Sequence, residues 1–356
     1  MQIMNRLLPV VARLRSMCLG SRPIFDCASE IIELSPAIER EQLGAISLPS
    51  EFDRVLALQE ETTLEMELDR LRPGRRRHGA TMAYRLDRAT IAQGTIYFKG
   101  GHDVIRRGSP ALLPRQDNFF AEMQLCTNNV IERYFGHWLI EGLALELLAK
   151  QMSLQGLLLG RRPWTHEAGY RKICGIESVQ TDNAFIDRLW IVDDRGLNAN
   201  WIARVLELRR RIRDGRSSTS AGCIFLTRGT QGAPRNLVNS DELHEVLGKL
   251  GFMIVNPEGE SAQDLANALS AAKLVIAVEG SVQNHCIHAL PVGSTLLTIQ
   301  PPTRFNANSK DRADAVGLNW GFVVADPHPE GFHLPIDRLM RTIDEVSRVI
   351  AQREVA

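Results

Sequence analysis

From Cys223 onward, short apolar runs alternate with segments of helical period, and no other feature constrains the fold of this chain as strongly. Cys223–Thr227 is apolar; Leu243, Val246, Leu247 and Leu250 recur at helical spacing; Phe252–Val255 is apolar; Leu265, Leu269 and Ala272 are helical again; Leu274–Val278 is apolar. A helix around Val282–Leu290 and strand candidates at Thr295–Ile299 and Phe322–Val324 continue the rhythm. Strands separated by helices in this way predict a parallel sheet covered by helices, an α/β domain able to stand alone.

A chain of 356 residues exceeds the roughly 250–300 at which a single core stops growing, so two domains are expected. The polar tract Ser217–Ser220 reads as the linker. It divides an N-terminal domain (1–216) from a Rossmann-like domain (221–330), followed by a C-terminal helix (331–356) packed on a domain surface. That helix is marked by Ile336, Leu339, Met340, Ile343, Val346 and Ile350, beginning after Pro335. In the first domain, the tract at 72–77 reads as an exposed turn, and Ala89–Ala92 and Thr95–Phe98 as two strands about Gly94. Trp138, Leu139, Leu143, Leu147 and Leu148 predict one amphipathic helix of about five turns over Asn129–Lys150. The run Leu189–Val192 reads as a buried strand ending at Asp193-Asp194, and Trp201–Arg213 as the next helix. The first 80 residues carry little pattern.

Lysine plus arginine and aspartate plus glutamate both number 42, so no global field draws the chain to nucleic acid, and any anion site must be local. The basic runs Arg75-Arg76-Arg77 and Arg209–Arg216 could touch acidic lipid or an anionic polymer, but read more simply as a solvated turn and helix face. Six scattered cysteines with no C-x-x-C pair suit reduced thiols in the cytoplasm. Leu7–Ala12 is short, contains Pro9 and is followed by Arg13 and Arg15, so no cleaved secretion signal is expected. No window approaches the ~20 apolar residues of a membrane span. The first helix, with Arg6, Arg13 and Arg15 beside Leu7, Leu8, Val10, Val11 and Leu14, could lie peripherally on the inner face of a membrane or pack on a domain.

Ligands of open parallel sheets bind at the carboxyl ends of the strands, and two such ends carry chemistry. One runs from the first strand into Thr227-Arg228-Gly229, then on to Arg235 and Asn239. Arg228 and Arg235 stay charged and grip phosphate in pairs of hydrogen bonds, so they could neutralise a diphosphate without a metal; the alternative is a solvated loop. The other end is Glu279-Gly280-Ser281, opening a helix that bears Asn284, His285 and His288. Ser281 is an N-cap by type, Gly280 permits close backbone approach, and Glu279 could hold ribose hydroxyls or take a proton. No D-x-D motif is present; Asp193-Asp194 is the nearest substitute, and a helix-capping role is the simpler reading of it. His285 and His288 have metal-pair spacing but no third ligand at a telling distance, so no metal is expected. His137 and Glu141 lie one helical turn apart, where a carboxylate could orient an imidazole to deprotonate an acceptor hydroxyl, or simply hold a core histidine. No G-x-G-x-x-G follows an early strand, which sets a nicotinamide enzyme aside.

Taken in order, Phe225-Leu226-Thr227-Arg228, Arg235, Asn239, Glu242-Leu243, Gly251-Phe252, Pro257-Glu258 and Ser261 form a familiar series. Ala272 before Val275-Ile276, and Gly280-Ser281 with Asn284, complete it. The series resembles the family 61 glycosyltransferases, including bacterial capsular polysaccharide enzymes, and Gly136-His137-Trp138-Leu139 resembles their upstream motif. The similarity spans roughly Asn129–Pro302. It implies a GT-B-like fold, two Rossmann-like domains facing a cleft, and an inverting, metal-independent transfer to a hydroxyl of a glycan or polysaccharide. The nucleotide-sugar donor would be held mainly by the C-terminal domain, with no separate cofactor. On this reading Thr227, Arg228, Arg235, Asn239, Gly280, Ser281, Asn284 and His285 hold the donor. His137 with Glu141 supplies the base, and Glu279 is the alternative base. Many members carry His-Gly-Ala or His-Gly-Ser where this chain has Glu279-Gly280-Ser281, and a common Gln is Leu265 here. These departures leave the donor sugar open, and with it the alternative of an inactive nucleotide-sugar-binding protein in a polysaccharide assembly complex.

Overall fold

The structure, a computed structural model, describes residues 2–107, 118–214, 222–229 and 235–355. The chain forms two compact units: residues 1–38 with 78–208, and residues 39–77 with 209–356. This division differs from the one drawn at the linker, because residues 39–77 and the end of the Ala199–Arg213 helix lie with the second unit. The Ser217–Ser220 tract and Arg216 fall outside the described residues.

The second unit holds five parallel strands in the order Met253–Val255, Cys223–Leu226, Leu274–Val278, Thr295–Gln300, Asn319–Val324. Every residue of the last three is buried, as expected for a parallel sheet covered on both faces. The helices Ser240–Lys249, Ala262–Leu269, Asn284–Ala289 and Asn308–Ala315 lie between successive strands; the last of these has no clear apolar period in the sequence. The C-terminal helix Ile336–Val355 does begin after Pro335, and it buries Leu339 and Val346 in the same core as Ile276, Leu297 and Val323. Read along the sheet, chain order is 2-1-3-4-5, so direction reverses between Cys223–Leu226 and Leu274–Val278. A crevice opens outside the carboxyl ends at such a switch point.

Residues 39–77 strap the edge of this sheet. Ile46 N–H donates to Trp320 O (3.0 Å) and Ile46 O accepts from Phe322 N–H (2.9 Å). Gly74–His78 is a strand paired with Ile38–Gln42 rather than an exposed turn, and Arg76 is ion-paired with Asp311 and Asp69. Arg209 is likewise no solvated helix-face residue. It is buried, and its guanidinium donates to Ile287 O and, at 2.7 Å, to Leu290 O, closing the end of the Asn284–Ala289 helix.

The first unit is built on an eight-stranded mixed sheet rather than an all-parallel one. Asn183–Asp193, Asn118–Leu125, Gly156–Leu158 and Val179–Gln180 run parallel, while Thr81–Ala92 pairs antiparallel with Asn183–Asp193, Glu30–Ser35 and Thr95–Phe98. The expected turn joins Thr81–Ala92 to Thr95–Phe98: Gln93 (φ 47°) and Gly94 (φ 83°) both have the positive φ of a tight two-residue hairpin. The single helix expected over 129–150 is broken. Asn128 Oδ1 accepts from Val130 and Ile131 N–H (2.9 Å each) and caps a short helix, Asn129–Arg133, which ends where Tyr134 turns extended. Helix resumes at Phe135 and runs to Gln151 through a π turn, Trp138–Gly142, in which Leu143 N–H donates to Trp138 O. From Leu143 to Ala149 every residue is buried, so this is a core helix, not an amphipathic one. Even Glu146 is enclosed, bound to Arg171 and accepting from Ser178 Oγ (2.6 Å), and burial pushes its carboxyl above the usual range.

Candidate active site

In the second unit, loops from three adjacent strands meet at their carboxyl ends. Thr227 N–H donates to Val255 O (2.9 Å), prolonging the strand pairing by one residue and fixing where Arg228 leaves the sheet. Arg228 Nη1 then donates to Glu279 O (3.1 Å), tying the first loop to the neighbouring strand end. Gly280 has φ 144° and ψ −175°, backbone that only glycine adopts readily, and a Cβ there would overlap Arg228 Nη1. Gly229 is as closely approached, by the Glu258 carboxylate from the Pro257–Gly259 turn.

The Glu279 carboxylate, largely buried, is held by two guanidinium groups. Arg235 Nε lies 2.5 Å and Arg304 Nη1 3.0 Å from the same Oε2. Burial, then the neighbouring Arg235, pull Arg228 down to about 10, with Arg304 acting in the same sense and Glu279 and Glu258 opposing. It remains a cation at neutral pH, and among the described residues the cluster it belongs to sets three guanidinium groups (Arg228, Arg235, Arg304) against two carboxylates (Glu279, Glu258). Such a site favours an added anion.

The structure therefore brings Arg228, Arg235, Glu279 and Gly280 together. The side chain of Asn239 is directed elsewhere, donating to Leu334 O (2.9 Å) and accepting from Leu334 N–H (3.1 Å). Ser281 is not an N-cap: Gly280 holds that position, and Ser281 begins a 3₁₀ turn leading into Asn284–Ala289. Asn284 donates to Ser281 O (3.2 Å) and accepts from Arg312 (3.2 Å), while His285 and His288 are buried in the helix. Arg304 was missed in the sequence. It follows Pro301-Pro302-Thr303 directly after the strand Thr295–Gln300, and the rule that singled out Arg228 and Glu279 would have reached it at this third strand end.

In the first unit, His137 Nδ1 lies 3.0 Å from both carboxylate oxygens of Glu141, and both side chains are partly exposed. A carboxylate can only accept, so Nδ1 carries the hydrogen and Nε2 of the neutral ring carries the lone pair. The pair sits at the entry to the π turn, a distortion frequent at functional sites. Tyr134 lies beside the imidazole, ring centroids 5.9 Å apart. Asp193 and Asp194 are both engaged, Asp193 with Arg195 (2.7 Å), and Asp194 with Arg204 (2.7 Å) and Thr81 (2.8 Å). The next helix is capped by Asn198 instead. Among the described residues no three His, Cys, Asp or Glu side chains group as metal ligands, and no helix is long and apolar enough to cross a membrane.

The family model for Glycosyltransferase 61 matches residues 135–297, a segment that begins at Phe135 beside the His137–Glu141 pair and runs through Arg228, Arg235 and Glu279. No curated protein matches the sequence.

Proposed function

We propose that the chain is a family 61 glycosyltransferase, on the match of that family model to residues 135–297, and that it catalyses an inverting, metal-independent transfer of a sugar from a nucleotide-sugar donor to a hydroxyl of a glycan or polysaccharide. The observation that carries this reading is the convergence of Arg228 and Arg235 at the switch point of the parallel sheet, joined there through Glu279. As the bond from the anomeric carbon to the diphosphate breaks, negative charge grows on the leaving oxygen. Arg228 and Arg235 neutralise it, and the backbone N–H groups at the Gly280–Ser281 turn add to the same field. Two guanidinium groups supply the positive charge that a divalent cation would otherwise bring.

The first unit supplies the base. Nε2 of His137 takes the proton from the acceptor hydroxyl, and Glu141 orients the ring and stabilises the imidazolium that forms. A single displacement then inverts the anomeric centre. Glu279, already holding Arg235 and Arg304, is better suited to shaping the donor site than to proton transfer. The enzyme is of GT-B type on this reading, with the donor held by the second unit and Thr227, Ser281 and Asn284 flanking it. A nucleotide-sugar donor places the reaction in the cytoplasm. The first helix exposes Leu7, Val11 and Leu14 on one face, which suits contact with the inner surface of a membrane where a polysaccharide is assembled.

Incubating the full chain with a panel of nucleotide sugars and measuring nucleoside diphosphate release tests this. Turnover with at least one donor is expected, and His137→Asn should lower kcat about 10²- to 10⁴-fold while donor affinity is kept. Absence of turnover across the panel, or full activity of the variant, would count against it.

A further inference from the structure

We infer that Arg304 is a third diphosphate ligand, converging with Arg228 and Arg235 on the phosphoryl groups of a nucleoside diphosphate; this rests on the donor-site reading above. Arg304 lies beyond the residues 135–297 matched by the family model. The fold nevertheless brings it to the same place. The strands Cys223–Leu226, Leu274–Val278 and Thr295–Gln300 are successive neighbours, and their carboxyl ends deliver Arg228, Glu279 and Arg304 respectively.

One oxygen, Glu279 Oε2, is shared by Arg235 and Arg304, so the carboxylate draws both guanidinium groups to a common point. Glu279 is thus a positioning residue that aims two cations. Arg304 is the more open of the two, with 34% of its side chain exposed against 9% for Arg235, which leaves it a face toward an incoming ligand. Among the described residues, the three guanidinium groups are set against the carboxylates of Glu279 and Glu258, and Arg228, lowered first by burial, is lowered further by Arg235 and Arg304. An anion entering here relieves that repulsion. A diphosphate presents terminal oxygens on two phosphorus centres, enough acceptors for all three planar forks at once.

The test is calorimetric titration of wild type, Arg304→Ala and Arg304→Lys with inorganic pyrophosphate, uridine, guanosine and cytidine diphosphates, the matching nucleosides, and farnesyl diphosphate. Arg304→Ala should weaken pyrophosphate and the preferred nucleoside diphosphate about tenfold or more, with Arg304→Lys in between. Binding of the matching nucleoside should change less than about twofold, and thermal melting should show both variants folded. Wild-type affinity for the nucleoside diphosphate in Arg304→Ala overturns the inference while leaving the donor site standing. Failure of every nucleoside diphosphate to bind wild type overturns the donor-site reading itself. Farnesyl diphosphate bound more tightly than any nucleotide would assign the diphosphate to a lipid and overturn the nucleotide assignment.

Discussion

Gly280 is where backbone conformation and ligand chemistry meet. At φ 144° a side chain is strained by about 1–3 kcal/mol, and a Cβ would displace the Arg228 guanidinium. Gly280→Ala should therefore lower stability by that amount in urea melts and weaken nucleoside diphosphate binding about tenfold. Gly248, in the Ser240–Lys249 helix with open space where a methyl group would sit, is the control: Gly248→Ala should raise stability by up to ~1 kcal/mol and leave binding alone. The sequence made Arg228, Arg235 and Gly280 legible because strand ends are chemically privileged and glycine or arginine after an apolar run is conspicuous. It could not show that Glu279 would be held by two arginines, since Arg235 and Arg304 reach it from separate loops. Nor could it separate Ser281 from Gly280 as the capping position, which is set by backbone dihedrals.

At the level of elements, the five parallel strands were readable because a strand buried on both faces must be apolar throughout. The strap formed by residues 39–77 was not, because its contribution is hydrogen bonding to a sheet edge rather than apolar periodicity. Glu51 shows what that involves. Its Oε1 accepts from Val324 N–H (2.8 Å), and burial raises its carboxyl above the ordinary 4.5. Between 4.5 and the raised value the folded state binds more protons than the unfolded one, so this group makes stability fall as pH rises through that window. Glu51→Gln keeps an oxygen for Val324 and removes the charge. Its melting temperature relative to wild type should be higher at pH 7 than at pH 4, by about 2–4 °C for each kcal/mol relieved. An unchanged difference across this range would show that the Glu51 charge carries no such cost. The break at Tyr134 was equally hidden: Trp138, Leu139 and Leu143 keep helical spacing on one side of it, and the cap at Asn128 begins the short helix on the other.

For the whole molecule the formal charge is zero, and in the second unit three guanidinium groups, Arg228, Arg235 and Arg304, gather about Glu279. The membership of residues 39–77 in the second unit is not legible in the sequence, because a chain that leaves one unit and returns to it gives no compositional signal. Charge neutralisation by the arginines and proton removal by His137, as proposed, bear on the same product. Proton NMR of the glycoside formed from a preferred donor in the presence of excess chelator reads them together. Transfer should persist with the anomeric configuration inverted relative to the donor. Retained configuration, or loss of transfer when divalent cations are removed, would contradict the account.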